Sequence, residues 1–494
     1  MRHKAMRLSN LAVATAHLNA VTPNYERSQL FPGIVHLGLG AFYRAHAAVY
    51  TDGAIGRGDL RWGIVGVSLR RPDARDALAA QDYLYTVAVR DADGERLQVI
   101  GALIGALVAP ESPQAVLAAM ADARCHIVSL TVTEKGYCLD PVSRTLRLDH
   151  PDIVHDLAHP QAPRSALGFI VGALARRHQA GLAPFTVLSC DNLPSNGLTT
   201  RGLVLAFAAR VDAELARWID AQGAFPNSMV DRIVPHTTRE DCRRIGIALG
   251  ADDAWPVMSE PFSKWVIEDD FAGPRPRWEE AGASIVAAAQ PYEHAKLRML
   301  NATHSSLAYL GVVIGHVTVD AAMADAGLAR FITAMLRDEI EPTLQRPGLA
   351  QYRAQLLARY RNPVLKHKLQ QIAMDGSQKL PQRLLGTIRD RLAAGASCER
   401  LCFALAGWLR YLQARDEAGR AYALVDPLAQ VLHAAATGSP DAAAQVAALL
   451  AVRQVFGDDL PANAQFVSSV TRHLASMLEH GVAAALEALE TKDD

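Results

Sequence analysis

The chain changes its sequence pattern once, near residue 285, and that change limits what it can fold into. Before it, short runs of strand character at 34–37, 62–69, 84–89, 97–100, 126–132 and 185–190 are interspersed with helix-compatible stretches such as 113–121 and 166–179. Alternation of that kind predicts an α/β sheet with parallel members. After it, amphipathic helical patterns fill 297–311, 321–339, 349–360, 383–393, 399–414, 441–456 and 464–489. The expected fold is therefore a Rossmann-type α/β domain followed by a mostly α-helical domain, with a site between the two. The expected boundaries are a lead-in at 1–29, a cofactor-binding domain at 30–285 and a helical substrate domain at 286–494.

The first strand feeds Gly38-Leu39-Gly40-Ala41-Phe42-Tyr43-Arg44. Strand, glycine turn and helix-compatible run is how a dinucleotide-binding βαβ unit opens. Gly38 suits the tight turn, and Gly40 suits a pyrophosphate approaching backbone N–H groups. Tyr43 stands where a third glycine is usual, so taken alone the run is equally a plain glycine turn before a helix. The second strand ends in Arg70-Arg71-Pro72-Asp73, which offers both the acid that favours NAD and the arginine that favours NADP. The run at 185–190 ends in Asp191-Asn192, placing Asn192 at a strand's carboxyl end as a partner for a ligand oxygen or as a loop-bracing amide.

Near the pattern change lies Lys296-Leu297-Arg298-Met299-Leu300-Asn301-Ala302-Thr303-His304. Read as a helix at roughly 100° per residue, Lys296, Asn301 and His304 fall within one arc of about 140°. The intervening Leu297, Met299 and Leu300 are apolar, so this is no solvated charge stripe, and burying such a trio is costly without partners or purpose.

Composition removes several function classes. A formal net charge of −1 gives no electrostatic case for nucleic acid or an anionic membrane surface. No apolar run approaches the roughly 20 residues of a membrane span. Arg2, Lys4 and Arg7 are basic, but Ser9, Asn10, Thr15, His17 and Asn19 interrupt what would be a signal-peptide core. Six cysteines are scattered without a CxxC pair, and Cys398 and Cys402, though helically spaced, have no histidine pair at zinc-site spacing. A reduced, cytoplasmic protein is the expectation.

Six motifs then occur in order: Gly38-x-Gly40-x-Phe42-x-Arg44-x-His46, Thr131 to Tyr137, Ser189-Cys190-Asp191-Asn192, Met229-Val230-Asp231-Arg232-Ile233, Glu260-Pro261-Phe262, and Lys296-x-x-x-x-Asn301-x-x-His304. Together they resemble the mannitol dehydrogenase family of polyol-specific long-chain dehydrogenases, from about residue 30 to near the C-terminus. The resemblance implies metal-independent hydride transfer between a nicotinamide cofactor, NAD with NADP as the alternative, and a secondary alcohol or ketone of a small acyclic substrate. By it, Lys296 resembles the catalytic lysine, a general base for alcohol oxidation and general acid for ketone reduction. A lysine at its ordinary pKa of about 10.4 is a poor base at neutral pH, and burial beside a positively charged nicotinamide lowers it.

Asn192 and Asn301 resemble the amides that hydrogen-bond the reacting oxygen, and His304 the residue that orients the substrate hydroxyl. Asp231 and Lys379 resemble further substrate-pocket groups, though Arg232 beside Asp231 would also make a plain structural pair and Lys379 would also pass as an exposed loop lysine. Gly38, Gly40, Ala41, Phe42 and Arg44 would form the cofactor turn, and Asp73 sits near the acid of NAD-preferring relatives. Relatives suggest a monomer or small homo-oligomer.

Two subgroups pull apart on substrate. Residues 80–84 and 252–256 look more like enzymes that interconvert D-mannitol and D-fructose. The stretches 296–301 and 371–383 look more like enzymes that interconvert D-mannonate and D-fructuronate, and Gln371 stands where the mannitol enzymes carry arginine. Site contacts decide specificity, so the second half weighs more. A carboxylated substrate wants a cation, and Lys379 or Arg383 would supply it. A catalytically silent nucleotide sensor is the distant alternative, against which the joint retention of Lys296, Asn192, Asn301 and His304 weighs.

Overall fold

The computed structural model describes residues 6–140, 143–364 and 366–490. The chain divides into two compact units, Met1–Gln290 and Pro291–Asp494. The first is built on a parallel sheet. Its strands, in chain order with their neighbours in two smaller sheets, are β1 (Ile34–Leu37), β2 (Ile64–Ser68), β3 (Tyr85–Asp91), β4 (Gly94–Ile100), β5 (Leu103–Val108), β6 (Ile127–Leu130), β7 (Thr186–Ser189), β8 (Ser228–Asp231), β9 (Val257–Ser259), β10 (Lys264–Glu268) and β11 (Ser284–Val286).

The large sheet runs β5-β2-β1-β6-β7, all parallel, in register Ile34↔Ile64 and Ile34↔Ile127. The chain leaves β1 first to one side and then to the other, so β1 and β6 flank the switch point where open α/β sheets take their ligands. Strands β1, β6 and β7 are buried at every position, the signature of a sheet covered on both faces. One cover is the helices Pro113–Ala121 and Ala166–Gln179, which pack Val116, Leu117, Phe169 and Ile170 against Val35, Val128 and Val187. The other contains Trp62, Trp265 and Trp278, all fully buried.

The expected hairpin around Asp93-Gly94 is β3–β4, antiparallel from Tyr85↔Ile100 to Asp91↔Gly94. Strand β5 was not expected. The apolar run 97–108 is cut at Gly101 and Ala102, whose N–H groups both donate to Asp52 Oδ1, at 2.7 and 3.1 Å. That cut turns one long run into a hairpin strand and a separate sheet edge. The first residues are better specified than a lead-in. Leu8 is fully buried, its N–H donates to the Asp252 carbonyl at 2.9 Å, and Arg27 donates to the carbonyls of Gly101 and Leu103.

The second unit is all helical. Several expected helices are divided: 464–489 becomes Ala464–His480 and Val482–Glu490, broken at Gly481 (φ +84°), and 441–456 becomes Ala442–Leu450 and Arg453–Phe456. Among the described residues three wide, π-helical turns interrupt this unit, at Lys296–Asn301, Met335–Ile340 and Pro381–Leu385. Among the described residues no helix is long and apolar enough to cross a membrane.

Candidate active site

In the first unit the candidate site is a cavity of about 350 Å³ at the carboxyl ends of β1, β2 and β6, lined by Gly38, Ser68, Arg70, Arg71, Thr131 and Lys135 among others. Gly38 is required there twice over. Its φ of +99° is left-handed, and a Cβ on it would lie 2.2 Å from the Thr131 carbonyl oxygen, so β1 and β6 close only around a glycine. Gly40 precedes the short helix Ala41–Ala45, has no side-chain cap, and a Cβ there would meet nothing nearer than the Gly38 carbonyl at 3.8 Å. A cationic cleft at a sheet switch point, bordered by the glycine turn, fits the phosphates of a dinucleotide.

The remaining turn residues divide. Tyr43 is buried and stacks on His36, ring centroids 3.2 Å apart and planes 4° apart. Burial drives that imidazole down to about 3, so it stays neutral while hydrogen-bonded to Ser129 and Thr131. Phe42 stacks on His46 at 5.1 Å. Arg44 is buried; its Nη1 donates to the Trp255 carbonyl and its guanidinium lies 5.2 Å from the Tyr85 ring, so it braces β3 and the segment that leads into β9. Asp73 is exposed in the first turn of the helix Asp73–Ala79, where an acid favours the helix dipole, and the arginines line the cavity instead.

Asn192 is exposed just beyond β7. Its neighbours are fastened: Asp191 accepts from the N–H groups of Val132 and Thr133 and from Tyr137 Oη, tying the ends of β6 and β7 together. Asn196 braces the loop, its Nδ2 donating to the carbonyls of Ser189, Asp191 and Ser228. Asp231 ends β8, buried, opposite Lys264. Arg232 makes its contacts with backbone, donating to the carbonyls of Glu260 and Ala45.

In the second unit Lys296 and Asn301 are the two ends of one wide turn. The Ala302 N–H reaches the Leu297 carbonyl, five residues back. In ordinary α geometry, residues five apart are about 140° from each other. A turn bonded five residues back brings them onto one face, Lys296 buried and Asn301 half-buried. His304 follows one turn on, buried, its ring stacked on Tyr360 at 5.1 Å with 24° between planes. Tyr360 is held by donating to the Leu300 carbonyl at 2.7 Å. Burial first, then the charges of His367, Arg383, Arg359 and Lys379, hold His304 well below the usual imidazole range, and its Nε2 has no hydrogen-bond partner among the described residues. A neutral, unpaired imidazole nitrogen is suited to a substrate hydroxyl.

Lys379 is half-buried on the helix Gly376–Leu380, and its Nζ donates to the Met374 and Ile372 carbonyls at 2.5 and 3.4 Å. Arg383, in the wide turn Pro381–Leu385, donates from Nη1 to Ser305 Oγ at 3.0 Å, one residue from His304. Gly376 is dictated by crowding: a Cβ would lie 2.6 Å from Trp408 Nε1 and 2.8 Å from Tyr309 Oη. Sequence reasoning missed Arg359, buried at 7% exposure beside Tyr360, and His367, 5.1 Å from the His304 ring. Their place in a helical run and a loop gave no periodic signal toward His304.

Known proteins match over this whole length. Residues 32–280 match the mannitol dehydrogenase Rossmann domain and residues 288–478 the mannitol dehydrogenase C-terminal domain. D-mannonate oxidoreductase of Escherichia coli is 44% identical over 488 residues, 97% of this chain and 99% of that one. A mannitol 2-dehydrogenase of Phaeosphaeria nodorum is 42% identical over 477 residues, 95% of this chain and 83% of that one. The solved Pseudomonas fluorescens mannitol 2-dehydrogenase, in ternary complex with NAD and D-mannitol, superposes with a TM-score of 0.87 at 39% identity, covering 99% of this chain and 100% of that one.

Proposed function

The chain belongs to the mannitol dehydrogenase family and is a polyol or sugar-acid oxidoreductase, and from that premise we propose that it reversibly reduces D-fructuronate to D-mannonate with NAD(H), independently of metal. The observation that carries the sugar-acid reading is the cationic surround of His304. Arg383, Arg359 and Lys379 all bear on that imidazole, while burial holds His367 below the usual imidazole range and so uncharged. A polyol presents only hydroxyls and gains little from such a field, whereas a carboxylate is drawn to it.

Lys296 moves the proton. In reduction its Nζ gives a proton to the ketone oxygen, and in oxidation it takes that proton from the alcohol. Asn301, and Asn192 by its family motif, donate N–H to the same oxygen and stabilise developing alkoxide charge. His304 Nε2 orients a substrate hydroxyl, Asp231 holds another, and Arg383 with Lys379 meets the carboxylate. The turn Gly38–Gly40 seats the dinucleotide phosphates. When bound, the nicotinamide supplies or accepts the hydride.

The test is turnover of purified protein with NADH, and separately NADPH, on D-fructuronate and on D-fructose, followed at the nicotinamide absorbance and repeated after chelation. Fructuronate consumption with NADH, unchanged by chelator, is the expected result. Fructose consumption alone would replace this reading by interconversion of D-mannitol and D-fructose. The similarity to mannitol 2-dehydrogenases over nearly the whole chain favours that second reading.

A further inference from the structure

One side-chain cluster lies outside the dehydrogenase chemistry. Cys138, His150 and Asp152 each present a ligand atom, and the three atoms lie within 4.8 Å of one another. Cys138 follows the turn Glu134–Tyr137 in a left-handed conformation, φ +50°. Its carbonyl accepts the Arg147 N–H at 2.9 Å, and the Arg147 carbonyl accepts the His150 N–H at 3.1 Å, so the backbone ties the two ligand segments together. His150 and Asp152 belong to the start of the helix Pro151–Ala158.

We propose that Cys138, His150 and Asp152 form a site for a thiophilic divalent cation, Zn²⁺ or Co²⁺, on the wall of the dinucleotide cavity, and that occupancy there inhibits the enzyme.

The donor set is one sulfur, one nitrogen and one oxygen, which suits a borderline-soft cation, with water completing a tetrahedron. At ligand distances of about 2.0–2.3 Å, tetrahedral donors lie roughly 3.3–3.8 Å apart, so the cluster needs to close by about an ångström. Among the described residues neither Cys138 Sγ nor the Asp152 carboxylate has a hydrogen bond or ion pair, whereas the neighbouring Arg147 pairs with Asp149 at 3.3 Å. His150 Nδ1 accepts the Asp152 N–H at a long 3.2 Å, so Nε2 keeps its proton, and a cation bound at Nδ1 takes that lone pair in exchange for this one weak bond. Binding exchanges the Cys138 thiol proton, released to solvent, for the cation, and no electron changes hands.

Access and consequence come from the same feature. Cys138 and Asp152 line the cavity that Gly38 and Thr131 border. A cation on that wall brings its water and its charge into space a dinucleotide would use. The kinetic half of the proposal rests on the dinucleotide reading of the cavity, and the spectroscopic half does not.

The full-length protein, free of dinucleotide and kept anaerobic, is titrated with Co²⁺ and followed by absorption. A thiolate-to-cobalt charge-transfer band saturating at one equivalent is expected, lost in Cys138→Ser. His150→Gln should weaken Co²⁺ binding at least about tenfold, with thermal unfolding confirming that each variant is folded. Zn²⁺ should raise the apparent KM for the dinucleotide, and a chelator should reverse it. No charge-transfer band at millimolar Co²⁺ overturns the site, as does a band that survives Cys138→Ser or an affinity that His150→Gln leaves intact. A band at Cys138 with an unchanged dinucleotide KM retains the site and overturns the inhibition.

Discussion

The two units place polar groups by opposite means. In the first, the sheet sets the site by a close approach of backbone: Gly38 and Thr131 meet at the carboxyl ends of β1 and β6, beside a cavity that Arg70, Arg71 and Lys135 help to line. In the second, a helix delivers side chains: the wide turn at Lys296–Asn301 aligns a lysine and an amide, and a stacked tyrosine positions a neutral imidazole. Backbone sites are broken by added volume, and side-chain sites by lost atoms. Substitutions of the two kinds should therefore fail in different observables.

The largest effect is expected from Lys296→Ala, which should lower kcat by about 10²–10⁴, the span of general acid–base catalysis, while dinucleotide affinity measured by fluorescence titration stays the same. Retained turnover would remove the helical unit's side chains from the chemistry. Asn301→Ala should cost about 10²–10³ in kcat through loss of one donor to the reacting oxygen, read in a steady-state assay.

Gly38→Ala should act through the fold and the cofactor instead. With φ at +99° and a Cβ 2.2 Å from a carbonyl oxygen, it should lose at least about 1–3 kcal/mol of stability by denaturant unfolding and weaken dinucleotide binding. Gly40→Ala, with nothing closer than 3.8 Å, should leave stability nearly unchanged. Equal damage from the two would show that the turn is not shaped by the β1–β6 approach.

The smallest effect sharpens the helical side. Glu339, in the wide turn Met335–Ile340, is buried and accepts from the N–H groups of Arg400 and Leu401 at 2.8 Å each. Burial raises it to about 7, and those two bonds pull the other way. A carboxyl raised in the folded state contributes stability that is full below its ordinary value and lost as pH rises through the folded one. The melting temperature of the wild type relative to Glu339→Gln should therefore fall between pH 5 and pH 8, by about 2–4 °C per kcal/mol for a unit of this size. Asp52, Asp191 and Asp253 in the first unit are also raised by burial, so the difference between the two proteins, and not either curve alone, is the readout.

What was legible in the sequence follows the same division. Strand β1 and its glycine turn read directly, because an apolar run and a left-handed glycine are local facts. Strand β5 did not, because the break before it is made by Asp52, about fifty residues away in the chain. The trio Lys296, Asn301 and His304 was legible as residues, through spacing and motif, but its geometry was not. An α-helical reading leaves Lys296 and Asn301 splayed, and no sequence pattern announces a turn bonded five residues back. The roles of Arg44 and Asp73 were equally hidden. One is spent on the Trp255 carbonyl and the other sits at a helix start, assignments that depend on neighbours far along the chain.

The wide turn at Lys296–Asn301 also bears on how such a site can change over generations. A helix carrying one is, in effect, an ordinary helix that has absorbed a single additional residue without unravelling. Deleting one codon within 297–300 would restore the regular winding and put Asn301 four positions after Lys296, about 40° away and still on the same face. Asn301 and His304 would keep their aim, and the helix Ala302–Ile314 its own internal bonds. Rewinding the turn with no residue removed would instead swing that helix by about 100° relative to Lys296. A change of length, usually confined to loops, is absorbed here within a helix.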